Sequence, residues 1–494
     1  MQFMRNNIRF ILCFSLLITI PLCLFTQVSW PQFRGQNGQG ISGDSKPLPA
    51  EFSEKHNLLW KCNVSEGISS PVVWDNKIIL TGIRGDTLVT ICINRHNGEK
   101  EWTRFAHAEK VERTHPIGSA ASPSVVTDGV HIISYFGSYG LICYDFHGKK
   151  IWERKIPQQG NMYGVAVSPI IYENVLFLNR DANQDPYLEA IEPSTGETLW
   201  HKDRPGFKAN WSTPMIFDNN GQKEILVYGI WWLKSYSLKD GTEHWSFPGL
   251  TDEPVTTPVE ANGLIYVTTY NMKTNPEVLG LPTWDSIVKL YDKDLDGMIT
   301  LNEARANQSI LSRYDADGEG DHPLWGFHRW LDEDKDGKLT EKEWQKMIGY
   351  IDSFMQDNAL LALRPSIDAE KDPEVVWRHT LGVPECPSPV YINGLIYMIK
   401  NGGIISCLDA NTGELKYQEK LDAGGPYYAS LVYGDGKVYA ASARGVITVI
   451  EAADDFQILA QNDLNERLMA TPALVDGVVY LRTFGKLWAF GQKD

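Results

Sequence analysis

The chain has 494 residues, of which 43% are hydrophobic and 11% aromatic, and this is enough apolar material to build a large core. Its formal net charge at pH 7 is −16. This charge argues against a nucleic-acid partner, because no basic patch is present to neutralise phosphates.

The first segment of the chain has the features of a secretory signal peptide. Arg5 and Arg9 precede a mostly apolar run at 10–25, which is shorter than the ~20 apolar residues that a membrane-spanning helix needs. We place the signal peptide at 1–29 and expect a mature protein that is exported, periplasmic or secreted, and that does not span the membrane. Lipidation at Cys23 and an uncleaved signal anchor are the alternatives.

A Ser-Pro or Thr-Pro pair opens an apolar run at regular intervals along the chain. Successive starts are 41–52 residues apart, except for one interval of 131 residues. Four short strands every forty-odd residues are typical of a β-propeller blade, since neighbouring blades must stack around a ring to bury both faces. Eight starts therefore predict an all-β, eight-bladed β-propeller. The starts are Ser70, Ser122, Ser168, Thr213, Thr257, Ser388 and Thr471, with Ser430-Leu431 as a degenerate member.

Five of the units also contain a hairpin with an aromatic residue four positions after a turn glycine. The clearest copy is YLEAIEPSTGETLW at 187–200, in which apolar and polar residues alternate before the turn. The last unit supplies only three strands, and the stretch LLWKCNV at 58–64 reads as an outer strand with Trp60 in the aromatic position. We expect this strand to complete the last blade. The other copies of the spacing are Gly98/Trp102, Gly148/Trp152, Gly241/Trp245 and the variant Gly413/Tyr417.

The unit at 190–200, together with the opening WPQFRG at 30–35, resembles the PQQ-type, or quinoprotein-like, propeller repeat of secreted bacterial proteins. The resemblance covers roughly residues 30–272 and 359–494. It implies the fold and leaves the function open, because this fold occurs both in alcohol dehydrogenases and in the BamB-type outer-membrane assembly lipoprotein.

The long interval between Thr257 and Ser388 contains a segment that does not follow the repeat. Blade five starts before it and resumes with LLALRP at 360–365. We therefore place the propeller at 30–271 and 359–494, with the insertion at 272–358 between the second and third strands of blade five.

Two stretches of the insertion, DKDLDGMITLNE at 292–303 and DEDKDGKLTEKE at 332–343, resemble EF-hand calcium loops, so we expect a small all-α EF-hand pair. Ca²⁺ takes six to eight oxygen ligands, from carboxylates at loop positions 1, 3, 5 and 12, a backbone carbonyl at 7, and position 9 directly or through water. Gly297 and Gly337 permit the sharp bend at position 6. Ile299 and Leu339 stand where paired EF-hands form a short β-bridge. The expected ligands of the two ions are Asp292, Asp294, Asp296, Met298, Thr300 and Glu303 in the first loop, and Asp332, Asp334, Asp336, Lys338, Thr340 and Glu343 in the second.

Between these loops, residues 315–321 are acidic but lack the carboxylate at position 12. We interpret them as a solvated linker, with a third cation site as the alternative. Cys92, Cys143 and Cys407 occupy the small-residue position that Ala190 holds in the best repeat, which predicts buried residues on separate blades and no disulfide among them.

Polar and aromatic residues in the loops between second and third strands are candidates for lining the central funnel. Their alternative role is that of ordinary rim residues. They are Arg84, Tyr135, Arg180, Asp181, Trp231, Trp232, Lys400, Arg444 and Arg482.

Two classes of function remain. In the first, the protein is a non-catalytic scaffold at the cell envelope, with a calcium-ordered EF-hand cap near the funnel and an unidentified protein or glycan partner. In the second, it is a PQQ-dependent quinoprotein dehydrogenase. The dehydrogenases that the repeat resembles commonly carry an adjacent Cys-Cys pair, which this sequence lacks, and no catalytic carboxylate can be assigned from the loops. We therefore expect a scaffold with two Ca²⁺ ions, no PQQ and no catalytic residues.

Overall fold

The computed structural model of the chain describes residues 29–43, 46–158, 161–271, 282–305, 324–353, 358–366 and 371–492. The expected signal peptide, apart from Ser29, and the acidic linker at 315–321 lie outside the described residues. Within the described ranges, no helix is long and apolar enough to cross a membrane.

Twenty strands precede the long interruption of the repeat. They are β1 (Ser29–Trp30), β2 (Leu58–Asn63), β3 (Val72–Trp74), β4 (Lys77–Arg84), β5 (Thr87–Asn94), β6 (Lys100–Ala106), β7 (Val126–Thr127), β8 (Ile132–Phe136), β9 (Gly140–Tyr144), β10 (Lys150–Lys155), β11 (Ile170–Tyr172), β12 (Val175–Arg180), β13 (Tyr187–Ile191), β14 (Thr198–Asp203), β15 (Met215–Asn219), β16 (Gln222–Gly229), β17 (Trp232–Ser237), β18 (Glu243–Pro248), β19 (Val259–Ala261) and β20 (Leu264–Thr269) in the described part of the chain.

The interruption contains short helices, and we call its described part, residues 282–305 and 324–353, the helical segment. Its elements are α1 (Trp284–Tyr291), β21 (Ile299–Thr300), α2 (Leu301–Ala304), α3 (Leu324–Leu331), β22 (Lys338–Leu339) and α4 (Glu341–Ser353).

The strands of the repeat then continue to the end of the described chain. They are β23 (Ala359–Arg364), β24 (Glu374–His379), β25 (Val390–Ile392), β26 (Leu395–Lys400), β27 (Ile404–Asp409), β28 (Leu415–Lys420), β29 (Val432–Gly434), β30 (Lys437–Ala441), β31 (Val446–Glu451), β32 (Ile458–Asp463), β33 (Ala473–Val475), β34 (Val478–Arg482) and β35 (Lys486–Gly491).

Eight antiparallel sheets follow one another along the chain as blades, numbered here in chain order. Blade 1 is β3–β6 with β1 beside β3, and blades 2 to 4 are β7–β10, β11–β14 and β15–β18. Blade 5 is β19, β20, β23 and β24, so the helical segment lies in sequence between its second and third strands. Blades 6 and 7 are β25–β28 and β29–β32, and blade 8 is β33–β35 with β2 beside β35. The fold is the eight-bladed β-propeller that the eight repeat starts predict.

Hydrogen bonds between blades join the residues that precede the first strands. The backbone N–H at this position donates to the side-chain hydroxyl at the same position of the next blade, over 2.9–3.1 Å, at seven of the eight steps among the described residues. The last bond, from Thr471 to Ser70, closes the ring. At the remaining step, the bond runs instead from the Ser212 hydroxyl to the Thr256 carbonyl, over 2.8 Å. We call these residues the hydroxyl ring: Ser70, Ser124, Ser168, Thr213, Thr257, Ser388, Ser430 and Thr471.

One repeat start differs from its expected position. Ser122-Pro123 was expected to open blade 2, but the hydroxyl that accepts the N–H of Ser70 belongs to Ser124. The first strand of blade 2 begins at Val126, two residues after Ser124, which is the same offset as in the other blades. The position is defined by the hydroxyl group, which Ser124 provides without a following proline.

Tryptophans on outer strands pack against turn glycines of the following blade. Five such glycines have φ of +70° to +76°, and a Cβ at any of them would lie 2.5–2.7 Å from the indole ring, so only glycine fits. Each indole N–H also donates to a carbonyl of the following blade, over 2.8–3.1 Å. Trp60 of β2 makes this contact with Gly98 of blade 1, which ties the N-terminal strand into the ring. The pairs are Trp60/Gly98, Trp102/Gly148, Trp152/Gly196, Trp200/Gly241 and Trp377/Gly413.

The small residues of the third strands are the cross-strand neighbours of these aromatic residues on the fourth strands. Cys92 pairs with Trp102, Cys143 with Trp152, and Ala190 with Trp200. The two cysteines and Cys407 are buried and carry free thiols, as their place in the repeat predicts.

The N-terminal residues 29–43, which we call the base segment, pair or hydrogen-bond with seven blades and lie across one end of the ring. Trp30 pairs with Val73 of blade 1. Residue 35 must be a glycine, because a Cβ at this position would lie 2.7 Å from the indole ring of Trp30. Beyond this segment, Phe52 stacks on Phe490 of blade 8 with ring centroids 4.6 Å apart. The remaining contacts are hydrogen bonds of Pro31 with Thr127, Gln32 with Ile171, Asn37 with Ile216, Gln39 with Glu260, Arg34 with Pro389, and Gly40 and Ser42 with Tyr433.

The hydroxyl ring offers a matched pair of substitutions. Thr471→Val removes the acceptor of the buried Ser430 N–H, and we expect it to destabilise the fold by about 1–3 kcal/mol, the cost of an unsatisfied buried donor. Thr257→Val has the same shape change, but the Thr257 hydroxyl has no hydrogen-bond partner in the described structure, so the expected loss is much smaller. Denaturant unfolding of both variants measures the difference, and equal losses would contradict a role for the ring.

Glu112, in the connection between blades 1 and 2, gives a second prediction. Its side chain is 8% exposed, and burial raises its pKa from 4.5 to about 7, although a backbone contact at Val165 acts in the opposite direction. Its ionisation therefore opposes folding, so the contribution of Glu112 to stability should fall as pH rises from about 4.5 to 7.

Glu112→Gln should remove this loss and be more stable than the wild type at pH 8 by up to about 3 kcal/mol. Unfolding curves at pH 4.5 and pH 8 test it, with the exposed Glu109→Gln as the control. An advantage of Glu112→Gln that does not grow with pH would contradict the prediction.

Candidate functional site

The first acidic loop, residues 292–303, closes around the carboxylate of Asp292. Its two oxygens accept the backbone N–H groups of Leu295 and Gly297, over 2.7 and 2.9 Å. Gly297 has φ of +78° with open space where a Cβ would stand, so its role is the backbone conformation. The loop places carboxylate oxygens of Asp292, Asp294 and Asp296 within 4.8 Å of one another.

The second acidic loop, residues 332–343, repeats this geometry. Asp332 accepts the N–H of Gly337 over 3.0 Å, and its other oxygen is buried without a hydrogen-bond partner among the described residues. Asp332, Asp334 and Glu343 offer oxygens within 4.8 Å of one another. Asp336 instead accepts the N–H of Lys338 over 2.8 Å.

The glutamates at the last loop positions are held by hydrogen bonds at the start of the following helix. Glu303 accepts from the N–H and hydroxyl of Thr300, over 2.8 and 2.7 Å, and from the N–H of Lys293 over 2.9 Å. Burial raises its pKa, but these bonds outweigh burial and leave the pKa lowered. Glu343 is held in the same way by Thr340, and its pKa is lowered for the same reasons.

The two acidic loops lie side by side. Ile299 and Leu339 pair in the short antiparallel ladder of β21 and β22, as the sequence predicts. The imidazole of His328 is buried and donates to the carbonyl of Ile299 over 2.7 Å. Lys338 extends across the pair, and its ammonium lies 2.9 Å from Asp296, a contact that lowers the pKa of Asp296. The structure therefore brings the predicted acidic residues into two adjacent oxygen-rich loops.

A cavity of about 240 Å³ lies at the centre of the propeller. Phe33 of the base segment and members of the hydroxyl ring line it, and its other walls, apart from Tyr270, come from connections between the fourth strand of one blade and the first strand of the next. Six residues of these connections provide most of its chemical character: Tyr163, Trp211, Asp252, Glu253, Glu385 and Tyr428.

None of the nine candidates for the funnel lining lines this cavity. Three of them, Tyr135, Arg180 and Asp181, line a second and smaller cavity of about 30 Å³. Asp181 forms a buried ion pair with Arg204, with N–O distances of 2.7 and 2.9 Å, and Arg482 donates to the carbonyls of Ser65 and Ser69. The first strand is the innermost strand of each blade, so the connection that leads into it ends at the axis, whereas loops between second and third strands end further out.

The chain leaves blade 5 for the interruption, and returns from it, beside the cavity. Tyr270, directly after β20, lines the cavity. The next residue, Asn271, donates its N–H to the side-chain oxygen of Asn358 over 2.6 Å, directly before β23. This bond fastens the two ends of the interruption together beside the cavity.

Comparisons with known proteins agree with this architecture. A family model described as outer membrane protein assembly factor BamB matches residues 114–274. The comparison with curated protein sequences gives no significant match.

Solved structures share the fold at low sequence identity. A europium-containing methanol dehydrogenase matches with 10% identity and a TM-score of 0.55, over 94% of this chain and 98% of its own. The quinohemoprotein alcohol dehydrogenase ADHIIG from Pseudomonas putida HK5 matches with 13% identity and a TM-score of 0.51, over 94% and 81%. Sqt1 from Saccharomyces cerevisiae matches with 10% identity and a TM-score of 0.51, over 89% and 100%. Together, the family match and the solved structures support a PQQ-like β-propeller and leave its function unresolved.

Proposed function

We propose that this protein is an exported β-propeller that binds two Ca²⁺ ions in the acidic loops and acts as a non-catalytic binding scaffold at the cell envelope. The observation that carries the proposal is the pairing of two oxygen-rich loops through β21 and β22. In this proposal, the helical segment is an EF-hand pair that calcium orders beside the open face of the cavity.

The donor groups of the acidic loops suit a hard divalent cation. Ca²⁺ prefers oxygen ligands, and each loop gathers carboxylates at the spacing that an EF-hand uses. The orphaned oxygen of Asp332 is a buried acceptor that a cation would satisfy. Glu303 and Glu343 would act as the bidentate ligands, the carbonyls of Met298 and Lys338 would complete position 7, and Thr300 and Thr340 would serve position 9.

Calcium would also relieve the repulsion within each loop. Three carboxylates with oxygens within 4.8 Å of one another oppose ionisation of the whole group unless a cation balances them. The core of the helical segment, which includes Trp284, Ile287, Leu339 and Trp344, packs beneath these loops. Binding should therefore stabilise the segment as it neutralises the loops.

The scaffold role is favoured by the shape of the propeller. The base segment occupies one end of the ring, and the cavity is lined by the varied connections near the other end. The described residues that flank the interruption, Asn271 and Asn358, meet beside the cavity. The family model that matches residues 114–274 describes an assembly factor, which supports a protein partner over a small-molecule reaction.

The alternative, a PQQ-dependent dehydrogenase, has the whole-chain fold similarity in its favour. The cavity does not suit the cofactor, however. PQQ carries three carboxylates, and the described lining contains the acidic residues Asp252, Glu253 and Glu385. The carboxylates of the cofactor and those of the lining repel one another, which disfavours PQQ in this cavity.

We therefore expect no reduction of an artificial electron acceptor by alcohols or sugars when the purified protein is supplied with PQQ and Ca²⁺. A dehydrogenase known to use PQQ serves as the positive control for the assay. Activity that appears only when PQQ is present would overturn the scaffold proposal.

Calorimetric titration should detect two Ca²⁺ ions per chain, with affinities of ~10⁻⁴ to 10⁻³ M as in extracellular calcium modules. Glu303→Gln and Glu343→Gln should each remove one site. Glu341→Gln, an equal loss of charge at an exposed position of α4 outside the predicted ligand set, should retain both.

Limited proteolysis with and without chelator gives a second readout, in which calcium should protect residues 272–358 and leave the propeller unaffected. Fewer than two ions in the wild type, cleavage of 272–358 that does not depend on chelator, or an equal loss in Glu341→Gln would each contradict the proposal.

A further inference from the structure

The central cavity has three levels, which follow from the order of residues along each inner strand. Thr213 of the hydroxyl ring lies three residues before Ile216, which exchanges hydrogen bonds with Asn37 of the base segment over 2.7 and 3.0 Å. The same offset separates Ser430 from Tyr433, another contact of the base segment. The base segment therefore closes one end of the cavity, the hydroxyl ring forms the next level, and the connections between blades form the level furthest from the base.

The hydroxyl ring supplies buried hydrogen-bond donors to the cavity. Seven of its members line the cavity and are buried, and each hydroxyl oxygen accepts a backbone N–H from the previous blade. A hydroxyl also carries one proton of its own, and none of these seven protons is donated to an acceptor among the described residues. Because buried donors in proteins are normally satisfied, a molecule in the cavity must accept from them. The seven residues are Ser70, Ser124, Ser168, Thr213, Ser388, Ser430 and Thr471.

Two aromatic rings line the cavity from the connections into blades 3 and 4. Tyr163 and Trp211 are only partly buried and meet edge to face, with centroids 5.5 Å apart and an interplanar angle of 77°. The backbone N–H of Trp211 donates to the carbonyl of Pro254 over 2.9 Å, and its indole N–H donates to the carbonyl of Gly164 over 3.0 Å. Trp211 is thus fastened to the connections on both sides, so the two rings form a fixed apolar surface.

The hydroxyl donors and the aromatic rings together restrict the chemistry of a ligand. A purely apolar ligand would leave the seven donors desolvated and without acceptors. Water alone would satisfy the donors but would leave the aromatic rings wet, and apolar surface gains free energy when it leaves water. A molecule with several hydroxyl oxygens and an apolar ring face would replace the hydrogen bonds of that water and cover the rings as well.

Size and charge restrict the ligand further. The cavity volume of about 240 Å³ is below the ~300–1,000 Å³ of sites that hold drug-sized ligands, so one ring fits and a chain of rings does not. The net charge of −16 opposes the approach of an anion. Among the described residues, the groups of three potential metal ligands lie in the acidic loops and none lies in this cavity.

We propose that the central cavity binds one neutral sugar ring. The C–H face of the sugar would pack against Tyr163 and Trp211, and its oxygens would accept hydrogen bonds from the hydroxyl ring. The inference rests on the proposed scaffold function and gives the chemistry of what the scaffold receives, which is either a free monosaccharide or the terminal unit of a glycan chain.

Calorimetric titration of the purified protein tests this with methyl pyranosides of gluco, galacto and manno configuration and with N-acetylglucosamine. We expect at least one of them to bind with a Kd of ~1 mM or tighter. 2-(Hydroxymethyl)tetrahydropyran, a similar ring with a single hydroxyl, should bind at least about tenfold more weakly, because most of the hydrogen bonds are lost. The trisaccharide of the sugar that binds distinguishes the two sources. Tighter binding of the trisaccharide assigns the ligand to a glycan chain, and equal or weaker binding assigns it to a free monosaccharide.

Thr213→Val and Thr257→Val are a matched pair, because both replace a hydroxyl by a methyl group but only Thr213 lines the cavity. Thr213→Val should weaken sugar binding by about three- to tenfold, whereas Thr257→Val should leave it unchanged and Thr213→Ser should restore it. Thr213 also accepts the N–H of Ser168, so thermal unfolding checks that each variant is folded. If Thr213→Val does not fold, monodeoxy analogues of the bound sugar supply the same test on the wild type.

Trp211→Leu should weaken binding by about tenfold, because the aromatic surface is lost. Trp325→Leu, the same change at a half-exposed position of α3, should leave binding unchanged.

The inference is overturned if no sugar binds with a Kd of ~1 mM or tighter, if the ring with one hydroxyl binds as well as the sugars, or if Thr213→Val and the deoxy analogues keep full affinity. Preferential binding of N-acetyl-asparagine methylamide would assign the cavity to a protein partner and would overturn it too. Absence of sugar binding in a protein that binds two Ca²⁺ ions rejects this inference alone. PQQ-dependent oxidation of a bound sugar would keep the sugar site and reject the scaffold function.

Discussion

The propeller depends on how the inner edges of its blades are satisfied. The first strand of each blade lies nearest the axis, and in every blade except blade 1, where β1 pairs with β3, one side of this strand has no neighbouring strand among the described residues. Exposed strand edges carry N–H groups that need acceptors. A serine or threonine placed before the strand supplies one, because its short side chain brings a hydroxyl within 2.9–3.1 Å of the previous blade. Neighbouring sheets are thus joined near the axis by bonds that bridge blades without extending any sheet.

This constraint explains which parts of the repeat can be predicted from sequence. The turn glycine and the outer tryptophan recur in the sequence because the tryptophan of one blade can pack on the next blade only where that blade has no Cβ, as at Gly98 and Gly196. The serine or threonine at each strand start recurs because its hydroxyl accepts a hydrogen bond from the previous blade. The proline beside it is not required for this bond. Ser430 and Ser124 have no following proline and still make the inter-blade bond, so a motif that includes proline misplaces blade 2 by two residues.

The cavity could not be predicted in this way, because its chemistry lies outside the repeated positions. Tyr163, Trp211 and Glu385 stand in connections whose lengths and sequences differ from blade to blade. The expected lining residues were chosen from loops between second and third strands, where Asp181 is instead paired with Arg204, and Arg482 donates to a buried carbonyl group. The order of strands within a blade, with the first strand innermost, could have pointed to the connections between the fourth strand of one blade and the first strand of the next.

The sequence alone proposes a ligand set for the acidic loops residue by residue, because the ligand chemistry of one ion fixes the spacing of such loops, and this ligand set stays a prediction. A helix-flanked loop that must aim several oxygens at one point leaves little freedom in sequence, whereas a cavity wall can be built from many combinations of side chains. The spacing of residues within one loop does not predict the contacts between the two loops. Lys338 was expected to contribute its carbonyl to one loop, and its ammonium also reaches Asp296 of the other. This lysine partly balances the charge of the first loop, so the two loops are coupled by charge as well as by the β21–β22 ladder. If the proposed Ca²⁺ ions bind, an ion in the first loop would have to compete with that ammonium. An ion in the second loop would add to the positive charge around the first, so the electrostatic coupling would oppose filling both loops, and ordering of the shared ladder and core would favour it.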